Sequence, residues 1–234
     1  MLTSPHDFFE LNGFAHAGIF DGTEHVWQAL DRLPDYLDAH DDWHVLGDVA
    51  PSAVLEGSVF IGRGTVVEPY AFIIGPAIIG ENCTIRHSAY IRGDVIVGDD
   101  CIIGHCSELK SSIILNGTNV PHFNYVGDSI IGNDVNLGAG TICANLRLDE
   151  GEVFVNGRTP DLPSIRTGRQ KLGAIIGDGT RTSCNLVLNP GTLLPRGSAV
   201  RPPSSPRVKV SDREDLPTGK EGVLAARPPA ASGP

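Results

Sequence analysis

Three pairs of chemically capable side chains share one spacing: Arg92 and Lys110, His87 and His105, and Cys83 and Cys101 each lie eighteen residues apart. Two cations held side by side repel by about 3 kcal/mol at ~5 Å and an effective dielectric of ~20, so an anion or carboxylate belongs between Arg92 and Lys110. A planar guanidinium and a flexible ammonium suit a phosphate monoester. Neutralisation by Asp94 or Glu108 is the purely structural alternative. His122 and Tyr125 follow in the segment NVPHFNYVGDSIIGNDVNLGAGTICANL. A histidine beside a cationic site has its charged form disfavoured, which leaves it free to act as a base. His87 and His105 begin what would be a histidine metal ladder, but no third histidine occupies the next eighteen-residue step, so no metal is expected. Cys83 and Cys101 read as small buried filler.

The spacing itself comes from a repeat of six. From Val49, steps of six reach Leu55, Ile61, Val67, Ile73, Ile79, Ile85, Ile91, Val97, Ile103 and Leu109, all aliphatic. Four residues after each anchor stands a small or β-branched side chain: Ala53, Val59, Thr65, Ala71, Ala77, Cys83, Ala89, Val95, Cys101 and Ser107. Neither a helix nor a half-buried sheet has that period. A triangular parallel β-helix does: three six-residue sides form an eighteen-residue coil, anchors point inward, and coils stack at ~4.8 Å. The fold class is therefore all-β. From Leu109 to Ile131 is 22 residues, so the register slips and a loop excursion is expected near 110–126. Anchors resume at Ile131, Leu137 and Cys143. A second excursion, near 147–175, precedes Ile176, Thr182, Leu188, Leu194 and Val200. Its first half carries Arg147, Asp149, Glu150 and Glu152, its second Arg158, Arg166, Arg169 and Lys171. It is either a solvated loop or a landing surface for a polyanionic carrier.

Residues 1–44 do not follow the repeat. Asp21 and Glu24 suit a capping box, and Val26, Trp27, Leu30, Leu33 and Leu37 fall on one helical face, with Pro34 a kink or an early stop. This predicts a helical cap, placed as a lid over the open edge of the first coil. Residues 45–200 form the solenoid, and 201–234 a proline-rich arm or disordered tail.

The 234 residues carry 28 acidic and 18 basic side chains, a net charge of −10 without any basic run, which argues against nucleic acid and membrane surfaces as partners. Five cysteines without a CxxC spacing fit a reducing compartment, and no secretory signal or bilayer-length apolar run is present. A soluble cytoplasmic protein is expected.

The stretch Arg92–Asn145 resembles the acetyltransferase domain of the bifunctional UDP-N-acetylglucosamine pyrophosphorylase/glucosamine-1-phosphate N-acetyltransferase, and RQKLGAIIGDGTRTSCNLVLNPGTLL resembles the C-terminal solenoids of related sugar-1-phosphate nucleotidylyltransferases. The specific signature is HxxYxGDxxIGxxVNxGAGTxxxN, from His122 to Asn145. The resemblance implies a left-handed β-helix and a homotrimer with sites between subunits. It implies acetyl-CoA as co-substrate and a sugar phosphate as acceptor. In its light Arg92 and Lys110 hold the phosphate, His122 is the base, and Glu108 is a carboxylate near the amine or the histidine. Tyr125, Asn136 and Asn145 position the amino sugar, and the Ala139 N–H faces the thioester oxygen. Cys184, Arg166, Arg169 and Lys171 fall on the coenzyme side. Leu146 stands where the bifunctional enzymes carry an aromatic, and residues 1–48 hold no glycine-rich nucleotide loop, so nucleotidyl transfer is not expected. Two alternatives stay open: an acyl carrier protein-dependent acyltransferase on a nucleotide sugar, and a non-catalytic trimeric subunit of a separate nucleotidylyltransferase.

Overall fold

The computed structural model describes residues 3–155 and 164–201. The hexad anchors wind into three parallel sheets, the sides of a solenoid. Side one runs from Asp48–Val49 through Ile102–His105 to Asn119–His122. Side two runs from Val54–Glu56 through Tyr90–Arg92, Glu108–Lys110 and Tyr125–Gly127 to Val187–Leu188. Side three runs from Val59–Ile61 through Ser112–Ile114 and Ala174–Ile176 to Thr192–Leu194. From Ile61 to Leu109 every anchor is buried, and the anchors share one core with Ala71, Ala77, Cys83, Ala89, Val95 and Cys101 of the small-residue register. The Cys83 and Cys101 thiols donate to the carbonyls of Gly98 and Leu115 in the next coil, so both are filler that also satisfies main-chain acceptors.

The expected excursion near 110–126 does not occur. Tyr90 pairs with Glu108 at a step of eighteen, but Glu108 pairs with Tyr125, and Ile113 with Ile130, at a step of seventeen. The chain stays in the solenoid and shortens two sides, so the anchors are Leu109, Ile114, Val120, Val126 and Ile131. The physical cause is the corner between sides two and three. Gly93 and Asp94 turn it after Arg92; the next two coils use one residue fewer at the corner and turn it at Ser111 and Asp128, with φ of 45° and 47°.

The second excursion leaves that same corner after Ala144 and returns at Ala174. It carries a two-stranded antiparallel hairpin, Phe154–Val155 with Ile165–Arg166. Arg158 and the tail beyond Arg201 lie outside the described residues.

The cap is helical but is not a lid on the first coil. It contains α1 (Pro5–Phe8), two short 3₁₀ turns and α2 (Ala29–Asp38). Its Phe8, Phe9, Phe20, Trp27, Leu33 and Leu37 pack on the outer face of side three, against Ile78, Ile96, Ile113, Ile130 and Ile175. The hairpin contributes Val153, Val155 and Leu172 to this second core. The capping box forms at His25 and Gln28 rather than at Asp21 and Glu24, and α2 runs on past Pro34.

Candidate functional site

The chemistry-bearing residues gather at the two ends of side two. At its entrance, where side one turns into side two, the coils stack His87, His105, His122, Ala139 and Cys184 in one column. Main-chain bonds fix that register: Phe123 N–H donates to the His105 carbonyl at 3.0 Å, Gly140 N–H to His122 at 3.0 Å, and Asn185 N–H to Ala139 at 2.7 Å. The seventeen-residue coil therefore supplies the third histidine that an eighteen-residue step had missed, since His122 is the direct strand partner of His105. His105 Nδ1 lies 3.0 Å from the His87 carbonyl, which can only accept, so that nitrogen carries the proton. Among the described residues no three His, Cys, Asp or Glu side chains come together as a metal site.

His122 is exposed, while its main chain is fixed from within. Its N–H donates to Asn124 Oδ1 at 3.0 Å, and the buried Asn124 amide donates to the Gly138 carbonyl at 2.8 Å. Ala139 is half-buried, and among the described residues its N–H has no acceptor.

At the exit of side two a polar cluster forms. Arg92 donates to Glu108 at 2.6 Å, and that bond raises the guanidinium pKa. Lys110 Nζ lies 3.4 Å from Asp128 and 3.2 Å from Ser111 Oγ. Asn145 Nδ2 donates to the same Asp128 carboxylate at 2.6 Å, and Arg169 approaches it at 3.7 Å while also pairing with Asp31 of α2. Arg92 and Lys110 thus meet different carboxylates, and Lys110 shares its own with Arg169. Glu108 is one of the two that the spacing argument offered; the second is Asp128, not Asp94. Asp94, partly buried one coil earlier, has its carboxyl pKa raised by that burial. Tyr125 sits over Glu108 in the ladder. Burial, with Glu108 and Asp128 nearby, raises its phenol pKa. Gly127 makes the convergence possible, because a Cβ there would stand 2.5 Å from the Tyr125 hydroxyl and 2.8 Å from the Asn145 amide.

The remaining residues lie apart. Asn136 joins Asn119 and Arg181 in the ladder of side one. Arg166 is exposed and paired with Glu152 at 2.5 Å on the hairpin. Arg169 turns inward to Asp128 and Asp31; Lys171 and Cys184 are exposed. His122 makes no described side-chain contact with Arg92 or Lys110; the strand Tyr125–Gly127, about 10 Å long, separates the two ends. An open cleft of about 850 Å³ lies along the excursion, lined by Ala144, Leu146, Leu148, Phe154, Asn189 and Pro190 among others. The residue that sequence reasoning left without a role is Asp128, whose only signal was its place in the GD step after Tyr125.

Residues 73–202 match the model of the GMPPB C-terminal domain, a span that contains both ends of side two. The bifunctional protein GlmU of Methanococcus maripaludis strain C7 is 46% identical over 191 residues, covering 82% of this chain and 45% of that protein. Its counterpart in strain S2 is 39% identical over the same length. The bifunctional sugar-1-phosphate nucleotidylyltransferase/acetyltransferase of Sulfurisphaera tokodaii is 52% identical over 79 residues, covering 34% of this chain and 19% of that one. The chain spans less than half the length of these relatives.

Proposed function

This chain belongs to the GMPPB C-terminal domain family, and from that membership we propose that it is an acyltransferase that moves the acetyl group of acetyl-CoA to the amine of a hexosamine 1-phosphate, glucosamine or galactosamine. The observation that carries the reading is the run of side chains along side two: His122 and the Ala139 N–H, which has no acceptor among the described residues, at the entrance; Glu108 and Tyr125 at the strand starts; and Arg92, Lys110 and Asn145 at the exit.

Each step follows from the side chains. A phosphate that takes Arg92 and Lys110 displaces Glu108 from Arg92 while Asp128 stays beside Lys110, and Glu108 is then free to face the substrate amine. Tyr125 and Asn145 hydrogen-bond the sugar, and Asn136 joins them from side one. His122 removes a proton as the amine adds to the thioester carbon, a role worth ~10²–10⁴ in rate. The Ala139 N–H meets the oxyanion as it forms, and the coenzyme A thiolate leaves as the carbonyl is restored. Side two is an open face, so a homotrimer, in which a neighbour walls the site and adds to the coenzyme surface, completes the pocket. Lys171 and Cys184 lie exposed toward such a coenzyme; Arg166 would have to leave Glu152 to join them. A cytoplasmic location goes with this reading.

The test mixes the protein with acetyl-CoA and either hexosamine 1-phosphate and follows thiol release. His122→Ala is expected to lower kcat by ~10²–10⁴. Equal background rates for both proteins contradict the reading and favour an acyl carrier protein-dependent acyltransferase or a non-catalytic subunit.

A further inference from the structure

Asp128 has no part in the chemistry above, yet three polar side chains converge on it. It is buried, at 4% exposure, and its carboxylate meets Asn145 Nδ2 at 2.6 Å, Lys110 Nζ at 3.4 Å and Arg169 at 3.7 Å. Its main chain is fixed on both sides: its N–H donates to the Lys110 carbonyl at 2.9 Å, and its carbonyl accepts from Gly173 N–H at 2.8 Å. Gly173 closes the excursion, so Asp128 lies at its root. Arg169 divides its guanidinium between Asp128 and Asp31 of α2, and its Nε donates to the Lys171 carbonyl at 3.0 Å. One line of charge-assisted contacts thus runs from the cap helix through the excursion to Lys110 and Asn145.

We propose that Asp128 is a positioning residue for the site, aiming Lys110 and Asn145, and that Arg169 makes the cap helix part of that alignment. The kinetic half of this inference rests on the acetyl-transfer reading; the mechanical half does not. Removing one charge from a buried group leaves its partners uncompensated. Asp128→Asn keeps the size and an acceptor for Asn145 but leaves Lys110 and Arg169 without their shared anion. Lys110, freed of its carboxylate, still attracts a phosphate. What is lost is direction, and a misplacement of ~1 Å costs about 10² in rate.

The experiment uses the full chain with Asp128→Asn, Asp128→Glu and Arg169→Gln. With acetyl-CoA and glucosamine 1-phosphate, Asp128→Asn is expected to lower kcat ~10- to 100-fold with KM unchanged or lower. Asp128→Glu, which restores the charge, regains part of kcat. Circular dichroism matching wild type separates this from unfolding. Hydrogen exchange supplies a measurement independent of turnover: Arg169→Gln speeds exchange of α2 and of residues 142–148 together, roughly threefold or more, and leaves 54–85 unchanged. Wild-type kcat in Asp128→Asn, or a rise in KM alone, overturns the positioning role. Unchanged exchange at 142–148 in Arg169→Gln overturns the link to the cap. If the wild-type protein shows no turnover, the acetyl-transfer reading fails, and the exchange pattern alone upholds or overturns the mechanical link.

Discussion

Two glycines separate function from fold at the scale of single residues. A Cβ on Gly127 would press on the far ends of the Tyr125 and Asn145 side chains, which can swing away. Gly127→Ala is therefore expected to cost only about 1 kcal/mol of stability while lowering acetyl transfer at least about tenfold through misplacement. A Cβ on Gly104 would stand 1.6 Å from the Pro121 main-chain oxygen of the next coil, which has nowhere to go. Gly104→Ala is expected to lower Tm sharply and to reduce soluble protein. Thermal melts and steady-state rates on the same two variants check the pair; a Gly127→Ala protein with full activity contradicts the account. Arg92 and Lys110 were legible as neighbours from their spacing, and Tyr125 and Asn145 stand out in the signature. Asp128 was not, because its partners Lys110, Asn145 and Arg169 come from three different stretches of chain and meet only when the coils stack.

At the scale of elements, the repeat made the solenoid readable and its irregularities misleading. A gap of 22 residues between anchors looks like a loop, but two five-residue sides and two six-residue sides fill it equally well. Only strand pairing distinguishes them, and the choice decides whether His122 falls beneath His105. The cap is readable as helical from Val26 to Leu37, whereas its seat is the outward-facing isoleucines of side three, Ile78, Ile96, Ile113, Ile130 and Ile175, which the inward anchor period does not count. The cap also holds a titrating group. His16 packs against Phe14 and Tyr36, with Nδ1 3.0 Å from the Tyr36 hydroxyl. Burial first, and then the neighbouring His40, lowers its pKa below 6.5, with Asp99 acting the other way. The unfolded chain therefore binds a proton that the folded cap refuses, so this contribution to stability is full above pH 6.5 and is lost as the pH falls below it. Tm, followed by the fluorescence of the buried Trp27, is expected to decline from pH 7 to pH 5, and His16→Gln is expected to flatten that decline. An identical decline in the variant contradicts the assignment.

At the scale of the whole molecule, a net charge of −10 surrounds a site in which Arg92 is paired with Glu108 and Lys110 with Asp128. A phosphate bound there works against the general field of the protein and depends on those two cations. The central claim is that the two ends of side two serve one reaction, phosphate held at the exit and the amine deprotonated at the entrance. The most direct measurement compares kcat/KM for glucosamine 1-phosphate with that for free glucosamine, using acetyl-CoA, in wild type, Arg92→Gln and His122→Ala. The account predicts a wild-type preference of ~10² or more for the phosphorylated sugar. Arg92→Gln should largely erase that preference, and His122→Ala should slow both substrates alike. A preference that survives Arg92→Gln, or rates untouched by His122→Ala, would show that the two ends do not form one site.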